Sequence, residues 1–103
     1  MDPESKENSE WEGVEPTSLA IDLVDQGLVK EGTHVLDLGC GFGRNANWLA
    51  SQGAVVDAIN INDSELTEAK RRANGLSVSV NYVKADAGNL PFADSSVDVV
   101  LDA

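Results

Sequence analysis

Apolar residues along this chain follow two alternating rhythms. Short, nearly continuous apolar runs occupy residues 33–38, 54–59, 78–83 and 97–102, and each reads as a buried strand. Between them the apolar positions fall three and four apart, the spacing of one helical face. A first helix is expected to begin near Pro16, with Leu19, Ala20, Leu23 and Val24 on its apolar face and Gly27 as its stop. A second carries Ala46, Leu49 and Ala50 inward and ends near Gly53. A third starts at Asn62, with Glu65 three residues on as capping partner, and Leu66, Ala69 and Ala73 line its inner face. Asn74 and Gly75 are expected to end it. In the third strand Val78, Val80 and Tyr82 alternate, and a loop over 89–94 leads to the fourth.

Strands alternating with helices imply βαβ units, a parallel sheet and right-handed crossovers, hence an α/β fold. The 103 residues suffice for one domain, expected over 14–103. Residues 1–13 are polar, acidic and aperiodic and read as disordered, with Trp11 the exception. The sequence stops within a residue or two of a hydrophobic strand, so the expectation is a fragment of a longer domain. An uncovered strand of composition VDVVL is an association hazard, and self-association through it is expected.

The most informative stretch is VLDLGCGFGR, residues 35–44. An apolar strand runs into Gly39, Gly41 and Gly43 and then opens a helix, so that backbone can approach a nucleotide-like ligand. A dinucleotide fingerprint needs G-x-G-x-x-G, and counting from Gly39 the third glycine would fall on Arg44. The pattern of apolar residues, Asp37 and three alternate glycines instead resembles the first motif of class I S-adenosylmethionine-dependent methyltransferases. The segments GAVVDAININD (53–63) and VKADAGNLPFADSSVDVVLDA (83–103) are similar to the later motifs of the same family. The stretch RNANWLASQG resembles small-molecule methyltransferases of the thiopurine and tellurite-resistance type.

The resemblance implies a Rossmann-like three-layer α/β/α sandwich with strand order 3-2-1-4, cut after the fourth strand. It implies S-adenosylmethionine as cofactor. Gly39 and Gly41 would lie against that ligand, and Gly43 would let the helix pack tightly on the sheet. Asp37 would help hold the methionine amino group, although a strand acid satisfied by nearby N–H groups is the plainer account. Asn60, with its neighbour Ile61, stands where the family usually has an acid that accepts from both ribose hydroxyls. An amide offers a single acceptor oxygen, so this departure weakens the site without touching the fold. Asp86 would accept from the adenine amino group, and the N–H of Ala87 would reach a ring nitrogen. Loop capping is the competing role for Asp86. Asp102 ends the fourth strand, either beside the sulfonium or simply exposed.

Other residues read more plainly. The single cysteine, Cys40, excludes an intrachain disulfide, fits a reducing cytoplasm and has no histidine partner to make it a nucleophile. His34 reads as structural or exposed, Arg44 as a ligand contact or a solvated helix residue, and Trp48 as packing or interface. Asp57 should face away from Asn60, and Asp63 belongs to a helix first turn. The net charge of -11 and pI near 4.1 exclude nucleic acid and anionic membrane surfaces as partners. The one basic run, Lys70, Arg71 and Arg72, reads as a solvated helix face. The acidity serves solubility or adaptation to high salt, and the composition does not choose. No apolar run approaches the ~20 residues of a membrane span.

The expected function is therefore the cofactor-binding portion of a methyltransferase acting on a small-molecule acceptor. A non-catalytic cofactor-binding or assembly module of the same fold is the alternative. A nicotinamide-dependent oxidoreductase is disfavoured by Arg44 and Asn60.

Overall fold

Capping and burial together fix the element ends. In the computed structural model, which describes residues 16–86, 88 and 97–102, the first helix is α1 (Ser18–Asp25). Its N-cap is Thr17, whose hydroxyl accepts from the Ala20 N–H, so Pro16 lies one residue outside the helix rather than at its first position. Ala20 is fully buried, whereas Leu19 is 47% exposed and does not join the inner face as expected. Strand β1 (His34–Leu38) follows, then α2 (Arg44–Ser51), β2 (Val55–Asn60), α3 (Asp63–Leu76), β3 (Asn81–Lys84) and β4 (Val99–Leu101).

The sheet has four strands, all parallel, in the order β3-β2-β1-β4. This is the expected order, and β1 is its central strand. Asp37 pairs across to Ala58 on one side and Leu101 on the other, which puts three strand ends next to one another. One set of alternate strand residues, Val35, Val56, Ala58, Tyr82 and Leu101, packs with Ala20, Ala46, Leu49, Leu66, Ala69 and Ala73 from the helices. The core is built from small and branched aliphatics, as the scarcity of aromatics requires. The described helices thus pack in one cluster against the sheet, a two-layer arrangement among the described residues rather than the three layers expected. Val55 and Val100, from the other set, are 56% and 55% exposed. No described helix is long and apolar enough to cross a membrane.

Three expectations need correction. Helix α3 does not stop at Asn74 and Gly75 but continues to Leu76. It ends at Ser77, held at φ 58°, whose N–H donates to the Asn74 carbonyl while the Val78 N–H reaches back to Ala73. A closing turn of this kind tolerates a non-glycine residue when the following apolar side chain packs, and Val78 does pack on the core. The third strand is correspondingly short. Val78 and Val80 are half-buried but precede the ladder, which starts at Asn81. The fourth strand is likewise limited to three residues. The expectations for residues 1–13, Trp11, Ala87 and the 89–94 loop fall outside the described residues.

Candidate functional site

The carboxyl end of β1 turns sharply through the glycine loop. Gly39, Gly41 and Gly43 all have positive φ, at 63°, 57° and 85°, a region that L side chains enter at a cost of about 1–2 kcal/mol. The Cys40 N–H extends the ladder by donating to the Ile59 carbonyl at 2.9 Å, so the loop begins anchored to β2. Beyond that anchor the glycines divide by role. A Cβ built on Gly39 or Gly41 would meet nothing within 4 Å. A Cβ on Gly43 would lie 2.2 Å from the Tyr82 hydroxyl and 3.0 Å from Ala69 Cβ. Gly43 therefore packs α2 onto α3 and the sheet, while Gly39 and Gly41 offer bare backbone to open space. A cavity of about 330 Å³ borders this loop, touching Gly39, Cys40, Gly41, Phe42, Arg44 and Asn45.

Asp37 sits behind the loop inside β1 and is only 3% exposed. Burial, and secondarily the charge of Asp102 just beyond β4, push its carboxyl up to about 7. Asp102 itself is exposed. A buried acid so raised is a receptor for a cation, because a positive group placed beside it would favour the ionised form. Cys40 is also buried, and its thiol is pushed up to about 12, chiefly by burial and then by Asp37. It is therefore inert as a nucleophile.

Asn60, the last residue of β2, is 8% exposed and is bonded at both its amide oxygen and its amide nitrogen. Its Oδ1 accepts from the Asn62 N–H at 3.2 Å, and its Nδ2 donates to Glu65 Oε1 at 2.7 Å. The same Nδ2 lies 3.5 Å from the Gly41 carbonyl, a weak bond that ties the strand end to the loop. Glu65 thus does not close the expected capping box on Asn62. The Asn62 side chain accepts from the Glu65 N–H at 3.0 Å, but the returning carboxylate goes to Asn60. Ile61 follows Asn60 and is 65% exposed.

Asp86 is exposed beyond β3, and its Oδ1 accepts from the Gly88 N–H at 2.9 Å, so the loop-capping role exists. The Asn60 carbonyl accepts from the Ala85 N–H, which brings the Asp86 turn to the end of β2. Asp37, the glycines, Asn60, Ile61 and Asp86 therefore all lie at the carboxyl ends of adjacent strands. Here the strand order reverses between β1 and β4, the position where open α/β sheets take ligands. A larger cavity of about 690 Å³ lies at the opposite ends of β2 and β3, lined by Ser51, Val55, Asp57, Leu76 and Ser79. It lacks the bare backbone and buried acid found at the loop, so size does not decide between them.

Several polar residues that hold this end together were not singled out in the sequence. Asn45, in the first turn of α2, accepts from the Thr17 N–H at 2.8 Å and fastens the start of α1 to the glycine loop. Asn47 is buried, accepts from the Tyr82 hydroxyl at 2.6 Å and donates to the Ala69 carbonyl at 3.4 Å. Outside the site, His34 bonds Asp57, which also accepts from Asn81 Nδ2 at 2.6 Å, so both are structural. Asp63 pairs with Lys84 at 3.0 Å in the first turn of α3, and Trp48 is half-buried against the core. Arg44 is exposed. Arg72 departs from the solvated reading of its basic run: it is partly buried, bonds Glu68 and lies 5.2 Å above the Phe42 ring.

Comparison with known proteins agrees with the geometry. A family profile described as a methyltransferase domain matches residues 36–103. A methyltransferase named GfsG from Streptomyces halstedii is 44% identical over 73 residues, 68% of this chain and 26% of its own. A ubiquinone biosynthesis O-methyltransferase of Coxiella burnetii is 36% identical over 62 residues, 60% of this chain and 26% of its own. Among solved structures, magnesium protoporphyrin IX methyltransferase from Synechocystis, with bound SAH, superposes with a TM-score of 0.74 at 27% identity. That match covers 82% of this chain and 38% of the other. The chain spans about a quarter of the length of the curated relatives it matches.

Proposed function

This chain belongs to the methyltransferase domain family, and from that premise we propose that it forms the cofactor-binding part of an S-adenosylmethionine-dependent methyltransferase. The observation that carries the reading is the loop itself. Two left-handed glycines present open backbone just past the end of β1, the strand that holds a buried carboxyl raised to about 7. S-adenosylmethionine carries a reactive methyl on a cationic sulfonium, together with a zwitterionic amino acid, a ribose diol and an adenine. It has no phosphate, and of the two arginines bordering the loop cavity Arg72 is already paired with Glu68 while Arg44 is exposed. The residues present fit the ligand. Asp37 suits the amino group, and Gly39 and Gly41 allow close approach of the methionine and ribose. The free N–H groups at the start of α2 suit the carboxylate. Asp86 and Ala87 serve the adenine, and Asn60 with Ile61 lies toward the ribose.

The acceptor is a small molecule in this reading, supported by relatives of the ubiquinone-biosynthesis kind, and the compartment is the cytoplasm. The segment 14–103 acts as the cofactor-binding unit. In the whole enzyme, catalysis would come mainly from alignment of the acceptor with the methyl group. A second reading, a module that binds cofactor or assembles without transfer, draws on Asn60, whose amide is already bonded internally. Exposed Val100 on the edge strand β4 gives such a module a route to self-association, which sedimentation at rising concentration would detect.

Calorimetric titration with S-adenosylhomocysteine tests the principal reading. Saturable binding is expected at about pH 8, weakened at least about tenfold in Asp37→Asn, the scale of one lost charged hydrogen bond. Equal affinity in the variant, or no binding by the folded chain, would overturn it.

A further inference from the structure

The position that ends β2 carries an amide, yet a carboxylate stands beside it. Glu65 lies one turn into α3, and its Oε1 accepts from Asn60 Nδ2 at 2.7 Å. In an ordinary capping box this side chain would return to the N-cap N–H. Here the Asn62 N–H is taken by Asn60 Oδ1 instead, which leaves the Glu65 carboxylate drawn back over the strand end. Its charge reaches the glycine loop, where it helps to push up the Cys40 thiol. Among the described residues Asn60 is the one hydrogen-bond donor to the Glu65 side chain. A vicinal diol presents two O–H donors. Asn60 Oδ1 already holds one N–H and has one lone pair left, whereas a carboxylate with a single donor bound keeps several.

We propose that Asn60 and Glu65 act as one diol-binding unit, with Glu65 supplying the carboxylate that accepts a ribose hydroxyl of the cofactor and Asn60 turning that carboxylate toward the glycine loop. The inference rests on the cofactor reading above and adds to it a residue on a different element from the strand end. Glu65 would be a cofactor-binding residue, and Asn60 a positioning residue with at most one hydroxyl of its own. The arrangement makes a functional statement: the departure at position 60 relocates the acid rather than abolishing it.

The test compares S-adenosylhomocysteine with its 2′-deoxy and 3′-deoxy analogues by calorimetry, on the unmodified chain, Glu65→Gln and Glu65→Asp. The unmodified chain is expected to favour the full ribose by about tenfold over at least one analogue, the value of a hydrogen bond to a charged acceptor. In Glu65→Gln that preference should collapse toward unity, with binding of the full ligand weakened to match. Glu65→Asp keeps the charge in the helix first turn but withdraws it by a methylene, and should lose the preference with an unchanged melting temperature. Adding Asn60→Asp to Glu65→Gln should restore the preference. Retention of the preference in Glu65→Gln would overturn the proposal and leave Glu65 as a structural partner of Asn60 only. Failure of the unmodified chain to bind S-adenosylhomocysteine would overturn the cofactor reading with it, so the two failures are told apart.

Discussion

Asp37 shows how one buried group couples folding to ligand. Its folded value of about 7 lies above the ordinary 3.8, so the folded chain holds a proton that the unfolded chain releases. Stability contributed by this group is therefore fully present below about pH 4, is lost as pH rises toward about 7, and is level beyond that. Asp37→Asn should flatten the decline and leave the variant the more stable by up to a few kcal/mol at about pH 8, measured by urea denaturation across pH. Ligand affinity should run the other way, rising through the same window as the ionised acid meets the amino group. The glycines offer a second contrast at this scale. Gly43→Ala places a methyl 2.2 Å from the Tyr82 hydroxyl in a left-handed residue, and should destabilise by about 3 kcal/mol or more. Gly41→Ala meets open space and should lower stability by only about 1–2 kcal/mol while reducing cofactor affinity. Thermal melts and titration of both variants separate the two roles.

Between elements, the buried Tyr82–Asn47–Ala69 chain joins β3, α2 and α3 behind the glycine loop. Tyr82→Phe leaves the Asn47 acceptor without its donor and should lower stability by about 1–3 kcal/mol in equilibrium unfolding. The strands and the glycine loop were legible because each rests on local pattern, apolar runs, turn residues and a motif of fixed spacing, whereas the strand order came from the family resemblance that the motif carries. The end of α3 was not. Gly75 is a common stop, but the helix runs past it because Ser77 adopts the left-handed turn and Val78 packs. Val78 and Val80 alternate as a strand would, yet they pack on the core before pairing begins. The links at Asn45, Asn47 and Glu65 were invisible for a different reason. Each is a contact between residues 5 to 35 apart in sequence, and only the fold brings them together.

At the scale of the molecule, the parallel sheet brings Asp37, Asn60 and Asp86 to one end because Asp37 and Asn60 lie at the ends of β1 and β2 and Asp86 lies just past the end of β3. The other end of the sheet carries the larger cavity, with His34, Asp57 and Asn81 bonded to one another rather than presented outward. Charge adds the same distinction. The net charge is -11, so a cationic ligand is favoured generally, but among the described residues it is the loop end that combines a buried acid with open glycine backbone. The most direct measurement is therefore a map of where the ligand binds: backbone amide NMR of the chain, titrated with S-adenosylhomocysteine. The expected result is saturable shifts at Gly39, Cys40, Gly41, Ile61, Glu65 and Asp86, with Ser51, Val55, Leu76 and Ser79 unmoved. Shifts centred on the second group, or none in a folded chain, would contradict the account.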